Sequence, residues 1–163
     1  MAAKTQFQPP SNEFLEKLGY KFSKSLLSHD NCMSENYMWR AVLINALEDT
    51  MITRTDRKSA TLKVRAHNWI MGSCSDFDKV CNWAMLDPEF VCEAYTGAIK
   101  NKKITFRTKH LYWHKYNMLF LKFKNTYDNT KKKIIKNEMK AIRKEAVTGL
   151  CVMVTNIYLS VIT

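Results

Sequence analysis

At 163 residues, with 46% hydrophobic and 12% aromatic side chains, the chain holds enough apolar material for one real core, which excludes wholesale disorder. Four glycines and three prolines are too few for a turn-rich sandwich or barrel, so the composition favours helices. The net charge of +11 is lopsided: residues 1–99 sum to −1 and residues 100–163 to +12. Such a field calls for an anionic partner, nucleic acid first among them.

In chain order, residues 1–10 (MAAKTQFQPP) read as a loose arm without the apolar run of a secretory signal. Ser11 then caps a helix on which Phe14, Leu18, Phe22 and Leu26 recur every four residues, and His29 to Met33 is a connection. Ser34 caps the strongest helix of the front half, with Trp39, Val42, Leu43, Ala46, Leu47, Thr50 and Met51 on one face. After a polar break over Thr53 to Ser59, a helix over Ala60 to Met71 turns Leu62, Ala66, Trp69 and Ile70 inward and stops at Gly72. Ser75 to Asp78 has the form of a capping box, opening a short helix that buries Phe77, Val80, Cys81 and Ala84. Asp87-Pro88 restarts the chain as N-cap and first helical residue, and Phe90, Val91, Ala94, Tyr95 and Ala98 form the buried side.

Lys100 to Lys109 (KNKKITFRTK) reads as a linker, an arm or a short strand. Beyond it, Trp113, Tyr116, Phe120, Phe123 and Tyr127 follow a 3, 4, 3, 4 spacing, the mark of a helix with an aromatic seam directed at the core. From Lys131 a last charged helix repeats the spacing with Ile135, Met139, Ile142 and Ala146. The expected fold is all-α: a small multi-helix bundle with a helix-turn-helix-like pair, extended by a basic helical C-terminal region. Its expected domains are the arm 1–10, a helical core 11–99 containing the paired helices 75–99, and a basic helical region 100–163.

The candidate nucleic-acid contacts fall in two groups. Lys100, Lys102, Lys103, Arg107 and Lys109 would follow a phosphate backbone as an arm; Lys133, Lys136, Lys140, Arg143 and Lys144 would do so from a rigid helix. Only Asp128, Glu138 and Glu145 offset the fifteen cations of the rear half, whereas a merely soluble face interleaves both signs. DNA is the first expectation and RNA the second. In the helix-turn-helix-like pair, the second helix begins Asp87-Pro88-Glu89 and runs on to Glu93, so carboxylates would stand where phosphates approach. Glu89 and Glu93 instead mark a surface for a protein partner.

Neither catalysis nor a cofactor is expected. Cys74, Cys81 and Cys92 lack metal-ligand spacing, His110 and His114 share a helix face without a cysteine pair, and Glu48 and Asp49 are adjacent and so point apart. The five cysteines (Cys32, Cys74, Cys81, Cys92, Cys151) fit reduced thiols in a cytoplasmic protein. The uncharged segment 146–163 is short and interrupted by polar residues, so a closing helix or strand is expected there rather than a membrane span. The alternative role is an interaction protein that meets an acidic protein or an anionic membrane surface through the amphipathic helix 131–146.

Three stretches, Trp39 to Asp49 (WRAVLINALED), Ala66 to Met71 (AHNWIM) and Asp76 to Val91 (DFDKVCNWAMLDPEFV), resemble a group of small phage- and prophage-encoded proteins over residues 39–95. The resemblance implies a helix-turn-helix and a part in phage gene control, in a bacterial host or phage-infected cell. In that group Arg-rich sequence follows the last element directly. Here Cys92-Glu93-Ala94 stands in its place and the cations begin at Lys100, which moves the expected contact surface downstream.

Overall fold

The computed structural model describes residues 34–72 and 75–154. The expected arm 1–10, the helix from Ser11, the connection at His29 to Met33, Cys32, Cys74 and the chain from 155 onward lie outside the described residues.

The fold is all-α. Six helices are described: α1 (Ser34–Met51), α2 (Arg57–Met71), α3 (Ser75–Trp83), α4 (Pro88–Lys100), α5 (Thr108–Asn125) and α6 (Asn129–Thr148). Two strands, β1 (Phe106–Arg107) and β2 (Met153–Val154), form a small antiparallel ladder pairing Phe106 with Val154 and Arg107 with Met153. The basic stretch 100–109 thus resolves into the end of α4, a turn, β1 and the first residues of α5.

Aspartate caps set the starts of three helices. Asp56 caps α2, its carboxylate accepting the Ser59 N–H at 3.1 Å; Ser59's side-chain and backbone hydrogen bonds hold that carboxyl below the usual range. Asp87 caps α4 by accepting the Glu89 N–H at 3.0 Å, with Pro88 at the first helical position. Asp128 caps α6, accepting the Thr130 N–H at 2.8 Å. Helix α2 therefore begins three residues before the expected Ala60, because Asp56 supplies a cap that a hydrophobic pattern does not register.

One core cluster joins both halves of the chain. Leu43 and Leu47 of α1, Val64 and Ile70 of α2, Phe77, Val80 and Cys81 of α3, and Val91, Tyr95 and Ile99 of α4 pack with Ile104 and Phe106. Burial lifts the Cys81 thiol to about 12, so this cysteine acts as a small apolar filler.

The expected core faces hold in part: Ala66 and Ile70 of α2 are buried, while Val42 of α1 and Phe90 of α4 are exposed. On α2, Leu62 is 37% exposed and Lys63 is fully buried in its stead. The reason lies on another element: the Lys63 ammonium donates to the carbonyls of Thr50 and Ile52, where α1 ends, and its Nζ sits 4.7 Å from the Phe106 ring centroid. On α5 the fully covered residues are His110 and His114, not the aromatic seam. Trp113, Tyr116, Phe120 and Phe123 are half-buried and Tyr127, past the helix end, is 94% exposed.

Candidate nucleic-acid interface

Helix α6 packs on α5 and has no other extensive interface among the described residues. Its seam meets α5 as the spacing predicts: Ile135 and Ala146 are buried, Met139 and Ile142 half-buried. On one flank of that seam, Lys133, Lys136, Lys140, Arg143 and Lys144 are all exposed. At about 100° per residue they occupy a sector of roughly 100°, while Glu138 and Glu145 project from the other flank. The stripe runs about 16 Å along the axis at 1.5 Å per residue. Among the described residues none of the five is paired with a carboxylate. Spacing along one strand of a duplex is about 3.4 Å of axis per charge, so a row of this length faces about five phosphates.

The remaining candidates are not one arm. Lys100 ends α4 and Lys102 and Lys103 follow on the turn, all three exposed, with Lys102 in the left-handed region at φ 56°. Lys109 donates to the Val147 carbonyl at 3.2 Å and so ties the start of α5 to the end of α6. Arg107 is half-buried in β1, its charge felt by Lys63 and His110. Arg107 and Lys109 are thus committed to the fold, which a loose arm would not require.

Behind these groups lies a buried polar junction. The His110 Nδ1 accepts the Arg107 N–H at 3.0 Å, which places its proton on Nε2, and Nε2–H donates to the Arg54 carbonyl at 3.0 Å. Burial, with Lys63 and Arg107 adding repulsion, drives the His110 imidazolium down to about 4. Burial likewise drives the Lys63 ammonium down to about 7, and the Arg107 charge acts in the same direction. Next to them His67 Nδ1 and the Tyr95 hydroxyl share a 2.8 Å hydrogen bond. Lys63 and His110 therefore grip the Ile52–Asp56 connection from two sides. This fixes the backbone that presents Arg54 and Arg57, both exposed.

Sequence reasoning missed that front-half basic face. Arg57, Lys58 and Arg65 are exposed along α2 beside the exposed Arg54, although residues 1–99 as a whole are slightly acidic. The signal was present locally, since residues 54–65 contain five cations and the single acid Asp56. The Arg57 guanidinium carbon lies 4.7 Å from the centroid of Tyr116 and 5.5 Å from that of Phe120. From the other side, Lys132 Nζ of α6 lies 5.6 Å from the Phe123 centroid.

Helices α3 and α4 follow one another through residues 84–87, with Met85 at φ 57°. Their inward side chains belong to the core, and the N-terminal residues of α4 left outside include Glu89, Phe90 and Glu93. Nothing in that arrangement supports base reading by α4. Among the described residues no group of three His, Cys, Asp or Glu side chains could hold a metal ion, and Cys81, Cys92 and Cys151 are free thiols. No described helix is long and apolar enough to cross a membrane. No protein-family model, curated protein or solved structure matches the chain.

Proposed function

We propose that the chain is a non-catalytic nucleic-acid-binding protein, of the regulatory or accessory kind found in phages, that grips phosphates through α6. One observation carries this reading: five cations of α6 share a single exposed sector, with its two carboxylates turned elsewhere. Concentrating like charge on one rigid face raises the self-energy of the free protein, and a polyanion relieves it while releasing its own counterions. Lys100 and Lys102, exposed where α4 ends, add to the basic surface of the molecule. The phage association rests on the sequence resemblance over residues 39–95.

The membrane and acidic-protein alternative needs a free apolar face on the amphipathic helix 131–146. In α6 that face is already covered by α5, with Ile135 and Ala146 buried. This favours an edge-on electrostatic grip over insertion into lipid or a partner groove. Reversing Lys133, Lys136 and Lys140 to Glu should weaken binding to duplex and single-stranded probes on the order of 100-fold, irrespective of sequence. Unchanged affinity in an electrophoretic shift assay, or retention on anionic vesicles without retention on nucleic acid, would overturn the proposal.

A further inference from the structure

The half-exposed aromatic row of α5 is the least explained surface of the molecule. Helices α2 and α6 both pack on α5 but share no extensive interface with each other among the described residues. Each contributes a cation to the row from its own side: Arg57 of α2 over Tyr116 and Phe120, and Lys132 of α6 over Phe123. Lys132 stands on the flank of α6 that carries the basic stripe, since it is four residues before Lys136. The row and the stripe therefore open to one side. Trp113 continues the floor, meeting Tyr116 edge to face at 5.7 Å.

We propose that this aromatic-floored channel between α2 and α6 binds a single-stranded nucleic acid, with a base stacked on the outer face of the Arg57 guanidinium. The inference rests on the phosphate-gripping reading of α6 and adds the class of strand and the way its bases are held. A duplex hides its ring faces inside the stack, whereas an unpaired base offers one to aromatic rings and to guanidinium planes. Arg57 is exposed while its guanidinium carbon lies over two rings, so one side of the group is already supported and the other remains to be covered. The acid beside it, Asp56, turns its carboxylate to the Ser59 N–H, and no hydrogen bond joins it to the Arg57 guanidinium. The strand's phosphates are then left to the α6 stripe, and the two surfaces divide base and backbone contacts.

The test measures affinities of the full chain for a fluorescein-labelled oligothymidylate, a single-stranded RNA of equal length and a blunt duplex. Arg57→Lys keeps the charge but removes the plane. It should lower single-strand affinity about tenfold or more while leaving duplex affinity within about twofold. Tyr116→Leu, which keeps apolar packing but removes a supporting ring, should give the same selective loss. If both variants hold the single strands as the wild type does, while reversal of Lys133, Lys136 and Lys140 weakens all three probes, the channel is not the site and the phosphate grip stands. If those reversals also change nothing, the phosphate grip fails and the channel proposal falls with it. Equal losses on single strands and duplex would likewise overturn the stacking role.

Discussion

Lys63 is the residue at which the fold takes its largest local electrostatic risk. Its amine ionises near 7 in the folded chain and near 10.5 when exposed, so between those values only the unfolded chain carries the proton. Stability must then rise as pH climbs from about 7 toward 10.5, and the full cost of charging the buried amine is felt below 7. The melting temperature of the wild type should gain on that of Lys63→Met across this alkaline interval; parallel curves would refute the assignment. His110 acts in a lower window. With a folded value of about 4 against 6.5 unfolded, it leaves the unfolded chain to take up the proton as pH falls through that range. The expected loss is about 3 kcal/mol by pH 4, and chemical denaturation of His110→Gln should show a correspondingly shallower acid limb. An acid limb as steep as that of the wild type would show that His110 is not the titrating group.

At the scale of elements, the helices differ in what fixes their ends. Removing a cap carboxylate in Asp87→Ala should cost about 1 kcal/mol in chemical denaturation, because the Glu89 N–H loses its acceptor. At the end of α6 the chain turns at Gly149, whose N–H donates to the Glu145 carbonyl at 2.8 Å; an added Cβ would overlap that carbonyl. Gly149→Ala should therefore loosen the last turn of α6, read as faster amide exchange over residues 145–149, and unaltered exchange would contradict the close approach. Local chemistry was legible in the sequence: Asp87-Pro88 placed the start of α4, and the 4, 3, 4 spacing placed the seam of α6. Contacts between distant elements were not. Lys63 is buried because its acceptors lie at the end of α1, and His110 because its partner is the Arg54 carbonyl 56 residues away in sequence. The 3–4 periodicity of the α5 aromatics identified the helix correctly, yet it could not say that histidines on a neighbouring face would take the core. The ladder between β1 and β2 involves two residues from each strand, too short for any alternation to announce it.

Across the whole molecule, opposite tendencies are kept apart. The core unites the acidic α3–α4 pair with Ile104 and Phe106 from the basic half, so the charge asymmetry of the sequence is not a division between separately packed cores. Instead it becomes a difference between surfaces: Glu89 and Glu93 are exposed on α4, while cations line α6 and the outer side of α2. The α6 stripe was legible from periodicity alone, because an amphipathic helix sorts its residues by angle. The α2 contribution was not, because averaging charge over residues 1–99 concealed a basic run of twelve residues. The most direct test of the account is the salt dependence of binding to duplex DNA and to oligothymidylate. For a grip of about five phosphates, log Kobs should fall with log salt at a slope near −4.5 on duplex and near −3.5 on a single strand. Reversal of Lys133, Lys136 and Lys140 should remove more than half of each slope, whereas a wild-type affinity that stays flat from low to moderate salt would contradict the account.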